Sequence, residues 1–153
     1  HTFLGWQIEK HDGFYEMHQE PFIEVILDRY NMHDCRTVTT PMDSFVLHDE
    51  GHEADETIPV RSILGCLQYL AHKSRPDITS TVQFLSRHMH RPTRPLLDAC
   101  RNVLRYLKGN PSMRIRLGRT PSADPMLALY TDAHFGASSV SGILVQLWGS
   151  PLM

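Results

Sequence analysis

Apolar and β-prone residues gather in two short runs at the start of the chain, Phe3 to Ile8 and Phe14 to His18, on either side of Asp12-Gly13. That dipeptide favours a tight primed turn, so "FLGWQIEKHDGFYEMHQ" predicts a β-hairpin. The period then changes. Pro21 opens a helix in which Ile23, Ile26, Leu27 and Tyr30 recur at i, i+3, i+4 and i+7, the stripe of a helix with one face on a core. After "TTPMDS", residues 43–57 lack sustained periodicity and read as an exposed, mobile linker.

From residue 60 to 119 the spacing is helical. Ile63, Leu64, Leu67 and Leu70 form one stripe. Ser74 is placed to cap a second helix, with Pro76 in its first turn, Asp77 at the capping-box position, and Ile78, Val82, Leu85 and Met89 as its apolar face. Thr93 is placed to cap a third, with Leu97, Cys100, Leu104 and Leu107 buried and Gly109 marking its end. Strand patterns return in "MLALYTDA" and "SGILVQLWGSPLM", where Gly149-Ser150-Pro151 is a turn signal into a third strand. The fold class is α+β: an N-terminal β-hairpin, a small basic helical subdomain, and a C-terminal β-sheet that is begun and not finished.

Charge changes this picture more than composition does. The chain of 153 residues has a net charge of -2 and an ordinary 41% hydrophobic content. Yet residues 1–60 hold 3 Lys/Arg against 13 Asp/Glu, while residues 61–119 hold 12 against 2. A basic block of this kind is the footprint of a polyanion, or else an internal match to the acidic segment. Arg101, Arg105 and Lys108 recur at i, i+4 and i+7, and Arg87, Arg91 and Arg94 precede them. Such a row suits phosphates as bidentate donors; the alternative is a solvated face.

Other chemistry is sparse. The 3 cysteines have no CxxC spacing, which argues against a zinc knuckle or a disulfide framework. His88 and His90 form an HxH pair, but residues two apart on a helix face different sides. No apolar run reaches the length of a membrane span and no signal segment is evident, so an intracellular piece of something longer, with no membrane partner, is expected. Asp132 ends an apolar run, the position from which many enzymes present a metal-binding carboxylate at a sheet rim.

The order of motifs resembles one family, the reverse transcriptase and ribonuclease H region of copia-type LTR retrotransposon polyproteins. The residues that carry it are "FLGWQI", "QEPFIEVILDRYNM", "TTPM", "LGCLQYLAHKSRPDITSTVQFLSRHMHRPT", "ACRNVLRYLKG" and "YTDAHFG", spanning nearly the whole chain. The resemblance implies that Phe3, Leu4 and Gly5 are primer-grip-like, and that residues 1–42 are the end of the palm with the first thumb helix. Residues 43–59 would then be an acidic linker, 60–119 the thumb and connection that hold template and primer, and 120–153 a truncated ribonuclease H-like start. Asp132 would be the first ribonuclease H carboxylate. In the family that chemistry uses two Mg²⁺ ions held by about four carboxylates, and past Asp132 this sequence has no Asp or Glu. The family's histidine after the "PT" turn is Leu96 here, and "ASSVSG" follows Gly136 without the family's acidic loop and arginine.

These features imply a catalytically silent segment whose parent makes DNA on RNA. It would need no cofactor of its own, would offer at most a weak metal site at Asp132, and would bind an RNA/DNA hybrid or other duplex. Self-association through the exposed C-terminal strands is expected as well. The alternatives are a retained nucleic-acid-binding module and an inert scaffold.

Overall fold

The computed structural model describes residues 2–3, 5–42, 53–118, 127–134 and 140–152, in two units. One is helical, residues 19–113, and the other is built of strands from residues 1–18 and 114–153.

The helical unit begins with α1, Glu20–Arg29, which carries Pro21 in its first turn. Its buried residues are Ile23, Ile26 and Leu27, as the spacing predicts. The helix stops at Arg29: Tyr30 is its C-cap, and Asn31 takes a left-handed φ of 53°. α2, Val60–Lys73, buries Ile63, Leu64, Leu67 and Leu70, all at 1% exposure or less. A 3₁₀ turn, Pro76–Ile78, leads into α3, Thr79–Ser86, and α4 runs from Arg94 to Gly109. Thr93 caps α4, its hydroxyl accepting from the Leu96 amide.

Three expectations for this unit are corrected. Ser74 does not cap the helix that follows it: it is the C-cap of α2, and its hydroxyl donates to the buried Gln19 side chain at 2.8 Å. Asp77 closes no capping box, because the Arg75 guanidinium takes both of its carboxylate oxygens. Met89 is 37% exposed, since α3 ends at Ser86 and the next residues turn away from its apolar face. α4 also buries more than its predicted stripe: Leu96, Val103 and Tyr106 join Leu97, Cys100, Leu104 and Leu107.

The strand unit holds two antiparallel sheets. The first has the order β1-β2-β3-β4, with β1 Thr2–Phe3, β2 Trp6–His11, β3 Phe14–His18 and β4 Ile115–Gly118. His11 faces Phe14 across a two-residue turn, so the predicted hairpin is present, but Gly13 alone takes a positive φ, of 82°, and Asp12 does not, so the turn is not of the primed kind expected. The run read as one strand from Phe3 to Ile8 is divided: Gly5, also at φ 82°, reverses the chain, and Phe3 pairs with Trp6. β4 falls inside the block read as helical to residue 119. Its four residues are too short for a helical stripe, and they pair with the open edge of β3, Met17 facing Ile115. A Cβ on Gly118 would lie 2.7 Å from that of Phe14, so only glycine lets the two backbones approach.

The second sheet has the order β5-β6-β7: β5 Leu127–His134, β6 Val140–Leu147 and β7 Ser150–Leu152. The turn into the third strand comes at Trp148-Gly149, with φ of 49° and 80°, one step before the predicted signal. The Ser150 hydroxyl receives the Gly118 amide and donates to the Gly118 carbonyl, both at 2.8 Å, which ties β7 to β4.

Among the described residues, every buried apolar side chain except Ile115 belongs to the helical unit. Each fully buried leucine there stabilises by about 1.5–3 kcal/mol relative to exposure, whereas among the described residues of the strand unit only Ile115 is a buried apolar side chain. Burial also pushes the Cys100 thiol up to about 12. Only a thiolate is alkylated readily, so iodoacetamide at pH 8 should label the half-buried Cys35 and Cys66 and leave Cys100 unmodified until urea unfolds the chain. Peptide mass mapping reads the result, and labelling of Cys100 at a rate like theirs would contradict its burial.

Candidate nucleic-acid interface

Helical spacing places Arg94, Arg101, Arg105 and Lys108 along one flank of α4, away from the buried arc. Arg94 and Arg101 are well exposed, at 70% and 43% of their side-chain areas. Acidic residues temper the row: Asp98 pairs with Arg101 at 3.5 Å, and Asp55 with Arg94 at 3.5 Å. Hydrogen bonds from the Thr57 hydroxyl and amide, with Arg94 nearby, hold the Asp55 carboxyl below its ordinary value.

The C-terminal end of the row meets residues 35–42. Lys108 donates to the Cys35 carbonyl at 2.7 Å, and the Asn102 amide donates to the Pro41 carbonyl at 3.1 Å and the Thr40 carbonyl at 3.4 Å. Thr37 comes within 3.2 Å of where a Cβ on Gly109 would be, so the absence of a side chain there lets the strap lie close. Lys108 therefore fastens the strap. Beside it a cleft of about 610 Å³ is lined by residues 35–40 and Arg105. It brings Arg36 and Arg105 together with Thr37, Thr39 and Thr40, a donor-rich wall suited to an anion. Arg36 was not among the residues the sequence pointed to; it is distant from the basic block and has no periodic signal.

Arg87 is the C-cap of α3 and Arg91 lies in the following turn, both exposed. Arg61 belongs to the same region: it donates to the Met89 carbonyl at 3.2 Å and pairs with Glu56 at 2.9 Å. The acidic segment is thus partly engaged with the basic block at its described end, where the Asp55 amide also donates to the Pro92 carbonyl at 2.7 Å and Ile58 is buried. Residues 43–52 lie outside the described residues.

The remaining sequence-derived positions are in the strand unit. Phe3 is 65% exposed and Gly5 is at the turn between β1 and β2, while Leu4 lies outside the described residues. Asp132 is on β5, exposed, and faces Gly142. Among the described residues no group of three metal-ligating side chains includes it.

The largest feature missed by residue patterns is Arg75, only 1% exposed. Its Nε and Nη2 donate to the two oxygens of Asp77 at 3.0 and 2.8 Å, its Nη1 donates to the Asn110 carbonyl at 2.9 Å, and its guanidinium lies 5.6 Å from the Tyr106 ring centre. Burial, and next the Asp77 carboxylate, raise the Tyr106 phenol above its ordinary value. This arginine is a tie between the 3₁₀ turn and the end of α4 and takes no part in a phosphate surface. The "SRPDI" string marked the position without saying that it is buried.

Several proteins share this chain's sequence, two of them over 99% of its length. The retrovirus-related Pol polyprotein from transposon RE1 of Arabidopsis thaliana is 36% identical over a 162-residue alignment that takes in 99% of this chain and 11% of the relative. The chain belongs to the copia-type, retrovirus-related Pol polyproteins of transposons. The Pol polyprotein from transposon TNT 1-94 of Nicotiana tabacum is 32% identical, over 75% of the chain and 9% of the relative. An uncharacterized mitochondrial protein of Arabidopsis thaliana, AtMg00810, is 39% identical over 71% of this chain and 45% of its own length. The chain spans about a tenth of the length of the Pol polyproteins it matches. No family model and no solved structure matches it. Among the described residues, no helix of this Pol segment is long and apolar enough to cross a membrane.

Proposed function

We propose that this segment is the thumb and connection of a copia-type reverse transcriptase running into the start of ribonuclease H, and that it grips a template-primer duplex without catalysing a reaction itself. The observation that carries this reading is the flank of α4, where Arg94, Arg101 and Arg105 point along one side beside the Arg36 and Arg105 cleft. Guanidinium groups on a helix flank meet phosphates without reading bases, so binding is sequence-independent and driven by counterion release. The setting is intracellular, where an RNA/DNA hybrid is made. Among the described residues no other carboxylate joins Asp132 in a metal-ligating group, and two-metal chemistry needs several carboxylates around its ions. Mg²⁺ belongs to the parent enzyme's chemistry in this reading and to none of this segment's own.

A second reading, the inert scaffold, is favoured by the Asp55–Arg94 and Glu56–Arg61 ion pairs, which neutralise part of the basic surface internally. Fluorescence anisotropy with a labelled RNA/DNA hybrid separates the two. The gripping reading expects an affinity that falls steeply with salt, and a triple change of Arg94, Arg101 and Arg105 to Ala that lowers the slope of log K against log salt by about 0.9 per lost phosphate contact. Lys108 is left in place because its loss would also release the strap. No binding at low salt, or a triple variant with unchanged slope, would favour the scaffold, and template-dependent primer extension would refute the silent reading.

The strand unit, which exposes Leu129 and Ile143, is proposed to self-associate through β5 and β6.

A further inference from the structure

The hairpin of β2 and β3 gathers a second set of groups unrelated to the basic flank. By strand alternation Glu9 and His11 of β2 share a face with Glu16 and His18 of β3, and Glu9 stands directly opposite Glu16. Two carboxylates facing each other across a sheet repel, and a sequence that places them there calls for a cation between them. The His11 Nε2 lies 3.6 Å from a Glu16 oxygen and 3.8 Å from Glu9 Oε2, and the three ligand atoms are all within 4.8 Å of one another. Those separations are long for hydrogen bonds. They are close to the spacing of about 3.3 Å between two ligands that each stand roughly 2.0–2.1 Å from one tetrahedral ion.

Two further contacts hold the groups in place. The His11 ring stacks on Phe14 at 4.7 Å and 14°, which fixes its plane. The His18 side chain, 8% exposed, meets Glu9 Oε1 at 3.2 Å and so turns Oε2 toward His11. A buried imidazole that orients a ligating carboxylate in this way is what surrounds metal centres generally.

We propose that Glu9, His11 and Glu16 bind a divalent first-row transition ion of the zinc type, with His18 as a positioning residue. An imidazole favours zinc, cobalt or nickel over magnesium or calcium, and the half-open hairpin leaves room for water in the remaining positions. Arg116, which faces Glu16 and lies 3.7 Å from the Phe14 ring centre, opposes the ion electrostatically, so binding is moderate. The proposal is independent of the nucleic-acid reading.

Calorimetric titration of the full chain with zinc chloride tests it, beside the variants Glu16→Gln, His11→Asn and His18→Gln. A His88→Asn/His90→Asn double variant controls for stray histidine binding. Wild type should take up one zinc; Glu16→Gln and His11→Asn should weaken it at least tenfold, His18→Gln by about tenfold, and the control by less than about twofold. Without metal, Glu16→Gln should melt no lower than wild type because it relieves the carboxylate repulsion, and zinc should raise the melting temperature of wild type and of the His88/His90 control well above any rise in Glu16→Gln or His11→Asn. Cobalt(II) on wild type should show weak visible bands without thiolate charge transfer. No saturable zinc uptake, a thiolate band, or Glu16→Gln and His11→Asn binding as tightly as wild type would each overturn the proposal.

Discussion

Arg75→Ala is expected to lower the unfolding free energy of the chain by about 3–5 kcal/mol, the usual cost of removing one partner from a buried ion pair. The loss is large because one guanidinium serves three groups at once, the two oxygens of Asp77 and the Asn110 carbonyl. With Arg75 gone, the Asp77 carboxylate, only 19% exposed, keeps its charge in a poorly solvated place. Asn110 is also the C-cap of α4, its amide bonded to the Tyr106 and Leu107 carbonyls, so the end of that helix loosens with it. Arg75→Lys should fall between, since an ammonium cannot bridge a carboxylate in bidentate fashion and reach a carbonyl on the far side. Arg75→Met with Asp77→Leu should recover much of the loss, because replacing both partners strands no charge. Urea titration followed by circular dichroism measures all three. A cost for Arg75→Ala below about 1 kcal/mol would place this pair among surface salt bridges and deny it the role of a tie.

Leu129→Lys with Ile143→Lys is expected to turn a self-associating chain into a monomer at micromolar concentration. The register puts Leu127, Leu129, Ile143, Val145, Leu147 and Leu152 on one face of the second sheet. Leu129 is 64% exposed and Ile143 is 72% exposed. Among the described residues, one long edge of β5 pairs with no strand, so an apolar face and open backbone donors and acceptors are offered together. Lysine on that face charges it without removing a ladder hydrogen bond. Asp132 alternates onto the opposite face with Tyr130, so Asp132→Asn should leave both the association and hybrid binding unchanged. Sedimentation velocity of wild type, the lysine pair and a chain ending near residue 123 decides the matter: a wild type that is already a clean monomer would remove the argument for this surface.

Residue pattern by itself determined the elements whose causes are local. The stripe in α1, the four leucine and isoleucine positions of α2 and the Thr93 cap of α4 follow from a 3.6-residue period and from the first orphan amide of a helix, which are both properties of a short window. The hairpin at Asp12-Gly13 is local in the same way, because only Gly13 must take a left-handed φ. The charge asymmetry and the family motifs were legible as well, and the motifs pointed to the Pol polyproteins with which the chain shares 36% identity.

Only the tertiary structure decided what each polar group spends its hydrogen bonds on. A window around Arg75 shows a charged residue before a proline; its burial depends on Asn110 and Tyr106, more than thirty residues away. Lys108 completes the basic row by spacing, yet the Cys35 carbonyl, 73 positions earlier, is what it holds. Arg36 joined Arg105 in a cleft because the strap lies against α4, and β4 became a strand because the edge of β3 was open to it. Glu9 and Glu16 became candidate ligands on one face through the hairpin register. The physical reason is the same in each case. Helix and turn formation read the neighbouring residues, whereas burial, ion pairing and edge pairing are fixed by which distant groups the fold brings within a few ångströms.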